Sequence, residues 1–228
     1  MAESGFNFQK FIDDSKATLI NPKSYFASMA KEGGFGEPII KALIYGLVAG
    51  IISFIWSLLH LTAGGGIFGA GTGGIMIIIG SLIAAFIGLF IGGLIVLILS
   101  AICGGNTSFE ANVRVCASLM VLSPVNALLS FFGGISLTLG AIISLLVSLY
   151  GLYLLYNALV STLGGKEGVA KVVSIVLAII PVIILISTLT CASVTSNYMN
   201  KMSDSKDMKE LQKKLENMAD KMEKDINK

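Results

Sequence analysis

The chain has 228 residues, of which 54% are apolar and 13% charged, with a mean hydropathy of +0.84 and a net charge of +2. Ordinary soluble domains carry about 25% charged residues, so these totals exclude a soluble globular protein of this size and describe an integral membrane protein. The net charge is small and no basic run with interleaved aromatics accompanies it, so nucleic acid is not an expected partner.

Residues 1–37 are polar and mixed in charge, without the apolar core and small-residue site of a cleaved signal peptide. Phe6 to Leu19 place Phe8, Phe11, Ile12 and Leu19 close to one helical stripe, with Lys10, Asp13, Asp14 and Lys16 between them. A second short helix is signalled by Asn21 as cap, Pro22 at the first helical position and Gly33-Gly34 as stop. Phe8, Phe11, Tyr25 and Phe26 are the residues expected to meet the membrane surface or a partner, the other reading being an amphipathic helix packed on its own protein.

Five apolar segments follow, Ile39–Leu61, Ile75–Cys103, Val113–Phe132, Ile135–Leu163 and Val172–Val194. Each reaches the roughly 20 residues that cross a bilayer core. Gly133 and Gly134 alone separate the third from the fourth, which predicts a tight antiparallel hairpin. The expected fold is all-α: a polytopic bundle of five spans over 38–195, preceded by amphipathic helices and followed by a charged helical tail over 196–228.

An odd number of spans puts the termini on opposite sides. Lys23, Lys31, Lys41, Arg114, Lys166 and Lys171 lie near the spans on the N-terminal side, whereas the loops Thr62–Gly74 and Gly133–Gly134 carry no charge. The positive-inside rule then predicts a multi-pass protein of the cell membrane with a cytoplasmic N-terminus and an external tail. Small residues recur at four-residue spacing, Ala42, Gly46 and Gly50 in the first span and Gly80, Ala84, Gly88 and Gly92 in the second, as close helix packing in lipid requires.

At the mouth of the third span, Glu110 and Arg114 stand four apart, a spacing that lets them pair on one helical face. Within it, Pro124 predicts a kink, and Asn126, with Asn157 in the fourth span, places an amide where lipid offers no hydrogen bond. Pro181, near Ser187, Thr188 and Thr190, marks a second kink in the fifth span. Interhelical hydrogen bonding and a polar pathway are both open readings of these positions. In the tail, Met208, Leu211, Leu215, Met218 and Met222 alternate steps of three and four, a short heptad seam that suits docking on the chain itself or self-association.

Motifs for chemistry are weak. Gly69 to Gly74 match G-x-G-x-x-G but lack a preceding strand, and Gly164-Gly165-Lys166 lacks the rest of a phosphate loop. His60 is the single histidine and has no second ligand at metal spacing; Cys103, Cys116 and Cys191 form no CxxC pair. No serine or cysteine has a credible base partner, so no catalytic residue, metal or cofactor is expected.

Asn21-Pro22-Lys23-Ser24-Tyr25-Phe26 leading to Met29, Pro38 opening the first span, the Gly-Gly then Ser108-Phe109-Glu110 and Arg114 before the third, and Tyr150 with Tyr153 ahead of Lys171 resemble the Yip domain family, named for Ypt/Rab-interacting proteins. The resemblance covers roughly Ile20 to Val194. It implies a five-span helical membrane domain with a cytosolic N-terminus and, in eukaryotic members, traffic between endoplasmic reticulum and Golgi through Rab GTPases. This chain lacks the Asp-Leu-Tyr-Gly-Pro-like opening of those members and resembles prokaryotic relatives, so a Rab-type partner is not carried over. The expectation is a non-enzymatic protein that organises membrane components or protein partners. The alternative is a transporter, channel or lipid-moving protein with a pathway along the kinked spans.

Overall fold

The computed structural model describes residues 6–59, 61 and 75–203, together with Lys214, Leu215, Met218 and Met222. His60, the glycine-rich loop through Gly74, Met208 and Leu211 lie outside the described residues. The chain divides into two units, Met1–Leu185 and Ile186–Lys228.

In the first unit, α1 (Phe8–Ile20) is capped by Asn7, whose side chain accepts from the Lys10 amide, and α2 (Pro22–Ser28) by Asn21, with Pro22 where no amide is needed. The spans follow as α3 (Gly36–Leu58), α4 (Ile75–Ile102), a broken third span of α5 (Phe109–Leu119), α6 (Leu122–Leu129) and α7 (Phe132–Ile135), then α8 (Leu137–Asn157) continuing into a π-helical turn (Ala158–Thr162), and α9 (Glu167–Ser203). Five of these stretches are long and apolar enough to cross a membrane: Gly36–Leu58, Ile75–Ile102, Phe109–Ile135, Leu137–Thr162 and Glu167–Cys191. Among the described residues there is no strand.

The third span breaks ahead of its proline for a local reason. Pro124 has no amide to offer the Met120 carbonyl, and its ring crowds that oxygen; the Ser123 amide takes the carbonyl instead at 2.9 Å, tightening the turn between α5 and α6. The hairpin to the fourth span turns at Ser136, whose side chain caps α8 at Leu139.

Burial is concentrated toward the N-terminal side of the bundle. Phe26, Leu89, Val113, Val115, Leu154 and Leu159 are fully buried together, while α4 before Ala85 and α8 before Leu154 bury nothing. Gly46 and Gly50 of α3 face α4, where an added Cβ would stand 2.5 Å from Ala85 Cβ and 2.1 Å from Ser81 Oγ respectively. The first-span stripe is thus a packing face. Of the second-span stripe, Gly92 packs closely, with an added Cβ 2.5 Å from Cys116 Sγ, but Ala84 is exposed and Gly88 meets nothing within 4 Å; the buried face, Ala85, Leu89, Gly93, Val96 and Ser100, is shifted by one position. Ser81 and Ser100 are the polar residues of α4 and both lie on this inward side, too faint a mark for periodicity to choose the face.

In the second unit α9 runs on to Ser203. Leu215, Met218 and Met222 are helical and exposed.

Candidate functional site

The two N-terminal helices lie against the N-terminal-side ends of the spans. The Phe26 carbonyl accepts from Thr162 Oγ1 at 2.5 Å in the π-helical turn, the Leu19 carbonyl accepts from the Tyr150 hydroxyl of α8, and the hydroxyls of Tyr25 and Ser118 of α5 are hydrogen-bonded at 2.8 Å. Phe11 packs against Tyr45 of α3 with the rings tilted and their centroids 5.0 Å apart. Phe11, Tyr25 and Phe26 are therefore buried in the protein's own core, which corrects their expected role at the membrane surface; Phe8 alone of the four is exposed. An amphipathic stripe has the same sequence whether lipid or protein covers it.

Across this contact runs a chain of alternating charges. Lys41 of α3 bonds Asp14 of α1 at 2.8 Å and Glu37 at 2.9 Å, and Glu37 bonds Arg114 of α5 at 2.5 Å. The guanidinium also donates to the carbonyls of Ala30 and Gly34, both at 3.0 Å. Lys41 and Arg114 are buried, and buried cations persist only when paired and fully hydrogen-bonded. The predicted Glu110–Arg114 pair is not formed. Glu110 accepts the Gly34 amide at 2.6 Å, so both residues hold the loop between α2 and α3 rather than each other. That loop needs Gly33 and Gly34 at φ +132° and +82°, conformations that side chains disfavour, and a Cβ on Gly33 would come 3.3 Å from the guanidinium.

Two cavities of about 230 and 440 Å³ flank the charge chain, and Lys10, Asp14, Glu37, Lys41 and Arg114 line both. Lys10 is the cation of this wall that no carboxylate among the described residues pairs with. The first cavity also carries Tyr25, Ser28 and Ser118, but Ser118 Oγ is engaged by Tyr25 and by the Arg114 carbonyl, with no general base beside it. The arrangement can bind a polar group; it holds no activated nucleophile.

The remaining predicted positions do not come together. Asn126 is exposed, not buried as its place in the span suggested. Asn157 is buried, but its amide donates to the Tyr153 carbonyl one turn back in its own helix at 2.8 Å, so it makes no interhelical bond there. Pro124 is half-buried at the break in the third span, and Pro181 lies within α9. The three thiols are free, and burial holds that of Cys103 above its ordinary pKa. Among the described residues no three His, Cys, Asp or Glu side chains gather at metal-binding distance.

Asp14, Glu37 and Lys41 were missed as site residues in the sequence. The available signal was Glu37 and Lys41, four apart at the mouth of the first span just as Glu110 and Arg114 are at the third.

An all-helical, multi-pass membrane protein with a helical cap ion-paired to its spans is the class these features define. The sequence model of the Yip1 domain matches residues 16–189, and the chain belongs to the Yip1 domain family. Comparison with curated proteins and with solved structures returns no match.

Proposed function

We propose that this Yip1-domain protein is a non-enzymatic organiser of membrane components, and that its N-terminal-side face is where protein partners are met. The observation that supports this reading is the charge chain from Asp14 to Arg114. It holds α1 and α2 on the spans around two polar cavities, leaves Phe8 and Ile20 exposed at 60% and 81%, and brings no reactive pair together. The cavities are lined by residues other than Pro124, Asn126, Asn157 and Pro181, so a transport pathway along those four has no support from them.

Photo-crosslinking residues placed at Phe8 and at Ile20 in cells test the reading. Discrete adducts with one or a few membrane proteins, altered by Lys10→Glu, are expected. Adducts with lipid alone at both positions would overturn it.

The proposed orientation puts this face in the cytoplasm and the tail outside, on the strength of the lysines that border it. In a cysteine-free background, Thr138→Cys should react with an impermeant maleimide in intact cells and Lys23→Cys only after permeabilisation. Both residues are exposed, so the opposite pattern would invert the topology.

A further inference from the structure

A third opening, of about 370 Å³, lies between α8 and the first turns of α9. Within the spans its walls are Leu149, Leu152, Ile175 and Ala178; at the N-terminal-side rim stand Tyr156, Glu167 and Lys171. The Tyr156 hydroxyl donates to Glu167 Oε1 at 3.2 Å, and no carboxylate among the described residues pairs with Lys171. One turn further in, Ser174 also lines the opening, and its hydroxyl oxygen is buried without a hydrogen-bond partner. A helical serine ordinarily bonds the carbonyl four residues back when nothing better is near. A buried hydroxyl left unpaired is unfavourable.

The fifth span is thinly packed here. Between Glu167 and Cys191, Ala170 is the one residue buried as a whole. The gap lies at bilayer depth, where the surrounding solvent is hydrocarbon, and its polar groups follow a sequence along α9: a cation at the rim, a hydroxyl about 4.5 Å deeper along the axis, then apolar walls. A glycerophospholipid presents its groups to the bilayer in that same order, phosphate, ester oxygens, acyl chain.

We propose that the α8–α9 gap binds an anionic glycerophospholipid, with its phosphate at Lys171, an ester oxygen accepting from Ser174, and one acyl chain between Leu149 and Ile175. A lone ammonium near the membrane surface favours an anionic headgroup, and with Glu167 engaged by Tyr156, the zwitterionic lipids have less to gain. This site is separate from the charge chain and does not depend on what meets the N-terminal-side face.

Tryptophan quenching in vesicles tests it. In a Trp56→Phe background, Val182→Trp places the only indole on the gap's face of α9, one turn beyond Ala178, and Ile87→Trp places it on the exposed face of α4. Each full-length variant is reconstituted in phosphatidylcholine carrying a small fraction of either phosphatidylglycerol or phosphatidylcholine with the same brominated chains, so that depth cancels in the ratio. At position 182 brominated phosphatidylglycerol should act as if enriched about fivefold over phosphatidylcholine, as one lysine at the surface can produce. At position 87 the two lipids should be equivalent. Lys171→Gln should remove the preference at 182, and Ser174→Ala should reduce it. A ratio at 182 equal to that at 87, or one that survives Lys171→Gln, would overturn the proposal.

Discussion

Glu37 carries more than its share of the charge chain. It is the one carboxylate between two buried cations, bonded to both Lys41 and Arg114, while its own side chain is 33% exposed. Removing one partner of a buried pair costs about 3–5 kcal/mol because the other charge is left uncompensated. Partial hydration of Glu37 lowers that figure, so Glu37→Ala is expected to destabilise the protein by about 2–3 kcal/mol. Glu110→Ala deletes an acceptor for a single exposed amide and should cost under about 1.5 kcal/mol. Thermal unfolding of both variants in the same detergent checks the order; equal losses would mean that Glu37 is not the centre of the chain. The sequence displays all four charges but not their pairing. The i,i+4 rule sees only neighbours on one helix, and the Glu37–Arg114 bond spans 77 positions.

At the scale of elements, the number and nature of the spans were legible because about 20 apolar residues are a physical threshold for crossing. Their bounds move by a few residues: the first span begins at Gly36 and the third at Phe109, where Glu37 and Glu110 supply acidic side chains in the first turn. Which face of a span meets its neighbour was legible only in part. α3 carries Lys41 and Tyr45 beside its small residues, a polar mark of the inward side, whereas α4 offers only the small hydroxyls of Ser81 and Ser100, a fainter mark of the same side. A matched pair of substitutions tests the observed faces. Gly46→Ala forces a methyl onto Ala85 and should destabilise by about 1–3 kcal/mol through overpacking. Gly88→Ala belongs to the stripe read from the sequence but meets nothing within 4 Å, and should leave the unfolding temperature unchanged. A larger loss for Gly88→Ala would restore the stripe that the structure displaces.

For the whole molecule, the N-terminal helices belong to the domain instead of lying beside it as membrane anchors. Their aromatic residues fill the core on the N-terminal side, their carbonyls accept from α8 and the π-helical turn, and Asp14 reaches the Lys41 ammonium. Hydrogen exchange of the full chain in nanodiscs measures this directly. The amides of Phe8–Ser28 should be protected about as well as those of α5. Lys41→Met, which keeps the stem and removes the charge, should speed exchange across α1 and α2 by about tenfold or more while α4 and α5 keep their protection. Fast exchange of α1 and α2 in the unmodified protein, or protection that Lys41→Met does not change, would contradict a cap locked to its spans by the charge chain.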